Sequence, residues 1–447
     1  MFEKLFKLNQ HKTTVKTEIM AGVTTFMTMA YILAVNPSIL SEAGMNANGV
    51  LMATALGSAI ACFCMAFMAN YPFALAPAMG LNATFTYTFV LGMGIDWQLA
   101  LFAVFVEGII FILLSLFKVR EAIFNAIPQS LKHAIGAGIG LFIAFIGFKG
   151  AGVIVSNEST FIALGSFTND FNNSAMTMLI AIAGVVIISA LLIKKVKGGI
   201  LLGIVITWLL GIVLELVGVY QPAISCIPAW SGYQFGAIKE TFGQCFNIDF
   251  ASIKIVDFLV IMFTFLFVDL FDTLGTLIGV STKAEFLDKD GKLPRIKGAL
   301  LADAVGTTVG AVLGTSTIST YVESSAGVSE GGKTGLTALT TGILFIIALI
   351  LAPLFIAIPT FATAPALIVV GVYMIGSIVN VDFSDFSEGV PAFLAMVMMP
   401  FAYSISDGIF FGVISYVVIN LITGNRKKIT PLMYILAILF ILKYAFL

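Results

Sequence analysis

Residues 253–282 read IKIVDFLVIMFTFLFVDLFDTLGTLIGVST, an apolar run with two carboxylates at its centre. Asp269 and Asp272 lie more than ten residues beyond Asp257 and about as far from the basic stretch that begins at Lys283. A charge at mid-bilayer costs roughly 2.5–3.5 kcal/mol on insertion scales, so it persists only against a polar cavity, a partner or a cargo. Three residues apart, the two acids fall near one helical face. The run reads as a membrane span that carries a transport-type site.

The rest of the chain agrees. Of 447 residues, 59% are hydrophobic and 11% charged, against about 25% charged in a soluble domain. The apolar runs are continuous and near twenty residues long, which favours helices over the alternating strands of a membrane barrel. A net charge of −1 gives no footprint for nucleic acid. The basic start, MFEKLFKLNQHKTTVK, reads as a cytosolic lead-in to the first span rather than a cleavable signal. Cys62 and Cys64 sit inside a span, while Cys226 and Cys245 share one loop, where a disulfide is open. His11 and His133 cannot complete a metal site with those thiols, and no cofactor is implied.

Spans are expected near 18–40, 49–69, 76–93, 97–117, 129–148, 174–194 and 198–219, then, after a long loop, near 254–281, 297–313, 318–332, 334–358, 364–380, 386–402 and 405–423. Charge tests that reading. Lys4, Lys7, Lys12 and Lys16 precede span one, Lys118 and Arg120 follow span four, and Lys194, Lys195 and Lys197 join spans six and seven. Lys283, Lys289, Lys292, Arg295 and Lys297 join spans eight and nine, and Arg426, Lys427 and Lys428 follow span fourteen. All fall on one side, which the positive-inside rule makes the cytoplasm, together with the N-terminus. The acidic segment with Asp382, Asp385 and Glu388 is the exception, and acids count little in that rule. The closing stretch 430–447 is either a fifteenth span or an interfacial helix, the latter preferred.

Seven spans per half invert the second half relative to the first. In such transporters a pair of short, Gly/Pro-interrupted segments at corresponding positions marks the site. Here the third segment of each half fits: YPFALAPAMGLNATFTYTF at 71–89 and GTSTISTYVESSAGVSEGGK at 314–333. Pro72 and Pro77 lack amide donors, and the run Thr315–Thr320 favours extended or capping backbone. Unpaired backbone at membrane depth needs protein or a water-filled cavity to satisfy it. Two such segments can pair as a short antiparallel ribbon and aim both helix N-termini at one point.

Asp272, followed by Thr273, Gly275 and Thr276, can accept N–H bonds from a planar heterocycle, and its protonation would neutralise the site. The alternative is a hydrogen-bonded pair inside the bundle, which applies more strongly to Asp269. Glu323 follows Tyr321 at the start of a half-helix, as a ligand or as a cap. Asn82 can read the edge of a heterocycle or satisfy loose backbone. Asp303 reads as structural, and Glu107 has no evident partner.

Residues 14–40 together with LAPAMGLNATF, FVDLFDTLGTLIG, GTSTISTYVESSAG and GGKTGLTAL resemble the AzgA-like purine permeases, nucleobase:cation symporters with the architecture of the uracil permease. The resemblance implies an all-α integral membrane protein of about 14 transmembrane helices, a 7+7 inverted repeat whose two broken spans carry short strands. It implies a core (1–125 and 250–360), a gate (126–222 and 361–425) and a C-terminal hydrophobic segment (426–447). It also implies a purine nucleobase held between spans three, eight and ten, moved with a proton. Asp272 with Gly275, Glu323 after Thr320–Tyr321, and Asn82 match the family's ligand positions. Thr273 and Thr320 add hydroxyls, and Phe85 or Phe271 would stack on the ring. Where the uracil permease has a coupling histidine this chain has none, so Asp269 joins Asp272 and Glu323 as the proton-coupling set. The implied partners are purine, proton and the lipid bilayer of the cell membrane, with a homodimer left open. The rivals are an inorganic-anion transporter of the same fold, a cation channel, and a membrane enzyme, for which no nucleophile–base pair is found.

Overall fold

The computed structural model describes residues 2–117, 127–168, 170–228, 236–248, 255–288 and 293–446. Lys118, Arg120, Lys289 and Lys292, and the unit boundaries expected at 125 and 250, lie outside those residues. Within them, eleven helices are long and apolar enough to cross a membrane. The shorter Phe386–Phe401 and the two broken segments complete the fourteen spans. The protein is a multi-pass membrane protein.

Span one runs Val15–Glu42 and is interrupted at Ala30–Tyr31, between helices Val15–Met29 and Ile32–Glu42. Span three begins with strand β1 (Leu75–Pro77), turns helical at Met79–Ala83 and continues as a π-helix, Thr84–Gly92. A short hairpin in the loop after span five, β2 (Ile154–Asn157) with β3 (Phe161–Leu164), was not anticipated by the sequence. Its tip is local: the Asn157 side-chain oxygen accepts the amides of Ser159 and Thr160. Span ten begins with β4 (Ile318–Thr320) and ends in the short helix Ser324–Ser329.

Strands β1 and β4 pair antiparallel, with Leu75 opposite Thr320, Ala76 opposite Ser319 and Pro77 opposite Ile318. The pairing answers the demand that backbone at this depth be satisfied by protein. Bonds from Ala78 N–H to the Thr317 carbonyl (3.0 Å) and from Tyr321 N–H to the Ala74 carbonyl (2.9 Å) extend it at each end. Around it, span nine packs on spans two and four, and span eleven on spans one and two. Spans five, twelve, thirteen and fourteen pack mainly on one another, with spans six and seven against twelve.

Contacts between distant loops sort the span ends into two faces. On one, Lys197 pairs with Glu330 at 2.8 Å, and Lys428 reaches Asp385 (2.9 Å) and Glu388 (3.2 Å). The acidic segment after span twelve is thus met by the basic tail. Hydrogen bonding from Lys428 and Ser387 holds the Asp385 carboxyl down at about 2. On the other face, Tyr87 donates to Glu42 at 2.9 Å, and Lys149 lies over the rings of Tyr87 (5.1 Å) and Tyr403 (5.0 Å). Cys226 and Cys245 are free thiols. The C-terminal helix Pro431–Phe446 packs on span fourteen, and the Phe440 ring lies 4.1 Å from that of Phe410.

Close packing of spans five and twelve depends on glycine. A Cβ at Gly371 would lie 2.5 Å from the Gly140 carbonyl oxygen and 2.8 Å from the Ala144 Cβ, whereas one at Gly376 meets nothing within 4 Å. Gly371→Leu should therefore lower the thermal midpoint of the detergent-solubilised protein, at a cost of about 1–3 kcal/mol or more from overpacking. Gly376→Leu should leave the midpoint nearly unchanged in the same melt.

Candidate functional site

Where β4 meets span eight, hydroxyls meet carboxylates. Extended backbone sends successive side chains to opposite faces, so the run Thr315–Thr320 reaches several helices at once. Thr315 accepts from Asn36 (2.8 Å), Ser316 donates to the Asn82 side-chain oxygen, and Thr317 donates to Glu107 (2.9 Å). Ser319 donates to Asp272 Oδ2 at 2.6 Å. Glu107, without evident partner in the sequence, is thus bound to span ten. The Ile318 carbonyl accepts from Thr307 at 2.9 Å.

Asp272, Thr320 and Glu323 border one cavity, together with Gly80, Thr276 and Tyr321. Its opposite wall is Ile139, Ile143, Val370, Tyr373 and Met374, from spans five and twelve. The cavity opens at a mouth, and the space counted out to it is about 520 Å³. Glu323 precedes helix Ser324–Ser329, and its Oε1 accepts from the Tyr31 hydroxyl at 2.6 Å. The Tyr321 hydroxyl donates to the Pro77 carbonyl at 2.5 Å and ties span ten to span three. Thr320 Oγ1 is buried without a hydrogen-bond partner among the described residues. No lysine or arginine among them pairs with Asp272 or Glu323, and none of their His, Cys, Asp or Glu cluster as a metal site.

The other expected residues lie around this cavity rather than on its wall. Asp269 is fully buried beside span nine, where the Thr273 hydroxyl bridges Asp269 (2.9 Å) and Asp303 (2.8 Å). Three residues turn a helix by about 300°, and the remaining offset is enough to give Asp269 and Asp272 different neighbours. Asn82 is fully buried behind Ser316. The two phenylalanines expected to stack on a ring are packed elsewhere: Phe85 is fully buried against Phe265, and Phe271 leans on Phe267. The aromatic side chains on the wall are Tyr321 and the half-exposed Tyr373.

Tyr31, Ser319, Tyr373 and the apolar wall escaped the sequence reading. Tyr31 lies in the first family motif but within an apolar stretch, and the residues of spans five and twelve differ in nothing from lipid-facing neighbours. Only the serine had a local signal, through alternation in β4.

The model of the permease family matches residues 16–411. The chain is 43% identical to the adenine permease AdeP of Escherichia coli (strain K12), over 100% of this chain and 96% of that one. It is 43% identical to the guanine/hypoxanthine permease PbuG of Bacillus subtilis (strain 168), over 99% of each. Among solved structures, the transmembrane domain of a cyanobacterium bicarbonate transporter, BicA, superposes with a TM-score of 0.62 at 16% identity, covering 89% of this chain and 97% of that one. That likeness concerns the fold alone.

The separation of wall from backing can be tested without any cargo. In a background without cysteine, Thr276→Cys should react with a small water-soluble maleimide, because Thr276 borders the cavity. Thr273→Cys, fully buried between spans eight and nine, should remain unlabelled until the protein is denatured.

Proposed function

The chain belongs to the permease family, and from that premise we propose that it imports purine nucleobases by proton symport. The observation that carries this reading is a pair of carboxylates, Asp272 and Glu323, on one cavity, with no cation opposite either among the described residues. Each is an acceptor for the N–H groups along a purine's edges, and the Thr320 hydroxyl is a third contact able to donate or accept. Phe85 and Phe271 frame the site from behind, so Tyr321 and Tyr373 take over the contacts with the faces of the ring. Asn82 and Thr273 hold the ligating elements from the rear, Asn82 through Ser316. Protons taken up by Asp272, Glu323 and the Asp269–Asp303 pair would neutralise the loaded site and couple it to movement.

Alternating access has a geometric basis. Towards the C-terminal half of span eight the backbone is open, with Gly275 and Gly279 exposed. Towards its N-terminal half Phe85, Phe89 and Phe265 are fully buried, and beyond them Tyr87, Tyr403 and Lys149 close the far face. The open side is the one bearing Lys197 and Lys428, which the positive-inside rule makes the cytoplasm. The moving parts are then the core of spans one to four and eight to eleven and the gate of spans five to seven and twelve to fourteen. An anion cargo fits poorly, because two carboxylates would repel it.

In cells lacking their own purine uptake, Asp272→Ala and Glu323→Ala should each abolish accumulation of labelled base while the protein stays in the membrane. Losing one charged contact is worth roughly a 10- to 100-fold loss of affinity. Near wild-type uptake in either variant refutes the assignment. Adenine, guanine and hypoxanthine should compete with the label where sulfate and bicarbonate do not, and a proton uncoupler should collapse accumulation.

A further inference from the structure

The two carboxylates of the cavity are held alike. Asp272 receives the Ser319 hydroxyl on Oδ2 at 2.6 Å, and Glu323 receives the Tyr31 hydroxyl on Oε1 at 2.6 Å. Among the described residues no second side chain donates to either group. A carboxylate offers two oxygens with about four acceptor sites, so one donor fixes its orientation and leaves most of its capacity free. Both donors are enclosed, Ser319 on β4 and Tyr31 at the interruption of span one, each 0% exposed. Neither borders the cavity itself.

We infer that Tyr31 and Ser319 are positioning residues for the cargo: each ties down one oxygen of Glu323 or Asp272 and aims the other at the bound base. The inference rests on the reading of those two acids as purine acceptors. A purine is rigid and planar, so its donors stand at fixed separations and directions. Two carboxylates free to rotate would meet both donors in only a fraction of their conformers. Fixing each beforehand removes that ordering cost from binding. The two props come from different elements, so recognition also reports on packing. Tyr31 reaches Glu323 only while span one lies against span ten, and Ser319 reaches Asp272 only while β4 holds its register beside span eight. The broken first span thereby gains a task that its position, remote from the cavity wall, does not suggest.

Tyr31→Phe and Ser319→Ala each remove one hydroxyl and little else. With whichever of labelled adenine, guanine and hypoxanthine the unaltered chain accumulates, each variant should raise the KM of uptake by roughly 2- to 10-fold. Maximal rate per transporter should stay nearly unchanged, the mark of lost binding common to ground and transition states. Because the props serve different acids, the double variant should multiply the two effects. An unchanged KM with less protein in the membrane, or a lowered maximal rate alone, would make the hydroxyls structural and overturn the proposal. A failure of both variants to reach the membrane counts against it in the same way, and if only one fails the other still decides. If Asp272→Ala and Glu323→Ala retain uptake, the reading of the acids falls first. If they abolish it while both hydroxyl variants keep a normal KM, the positioning role alone falls.

Discussion

Everything at the centre of this protein follows from having extended backbone inside a membrane. A strand at that depth cannot turn to water, and each unpaired peptide group would cost several kcal/mol in hydrocarbon. The chain meets this with two strands of three residues, one from each half, that satisfy each other. The segment Thr315–Thr320, which leads into and forms the strand of span ten, is Thr and Ser but for Ile318, so its side chains need partners too. Those partners are Asn36, Asn82, Glu107 and Asp272, on spans one, three, four and eight. Solving the backbone problem therefore draws four helices to one point, and the cavity lies beside it.

That origin explains what the sequence disclosed. A polar strand amid apolar helices breaks hydrophobic periodicity, and an acid in the middle of an apolar run breaks composition. Both breaks are visible one residue at a time, so β4, Asp272 and Glu323 could be found, while β1 showed itself through Pro72 and Pro77. What lay hidden depends on pairing between distant segments. Tyr31 looks like any interfacial or core tyrosine until span one is set against span ten. The partner of Asp269 is equally hidden, because Asp303 comes from span nine, with Thr273 between them. Phe271 shows the opposite case: it adjoins Asp272 in sequence, yet its ring leans on Phe267, because neighbours on a helix point about 100° apart.

The far face is closed by a different kind of contact. Tyr403, in the turn between spans thirteen and fourteen, has φ of 53°, a conformation that costs a non-glycine residue of order 1–3 kcal/mol. It is held there from several sides: Thr88 donates to its carbonyl at 3.2 Å, Lys149 to its hydroxyl at 3.3 Å, and the rings of Phe142 and Tyr87 meet it edge-on. Tyr87 and Thr88 belong to span three, whereas Lys149 and Phe142 belong to span five. The strained turn thus gathers an end of the polar bundle and an end of the apolar one. Each of its contacts is modest, a cation–π pair being worth about 0.5–1 kcal/mol near water, so the closure rests on several small terms rather than one large one.

The two walls of the cavity differ in a way that bears on how it could work. The carboxylates sit on one side only, on spans eight and ten, each held in register by a hydroxyl from span ten or span one. The facing wall from spans five and twelve carries Ile139, Ile143, Val370 and Met374, with Tyr373 at its edge. Apolar contacts have no preferred direction, so a shift of an ångström or two along that wall breaks no hydrogen bond. Hydrogen bonds weaken steeply when bent or stretched by as much. A ligand in the cavity would thus be oriented by the polar side alone. Tight glycine crossings such as Gly140 with Gly371 hold spans five and twelve together as one surface. Residues that read as mere lipid-compatible filler thus form the wall that faces the polar bundle across the cavity.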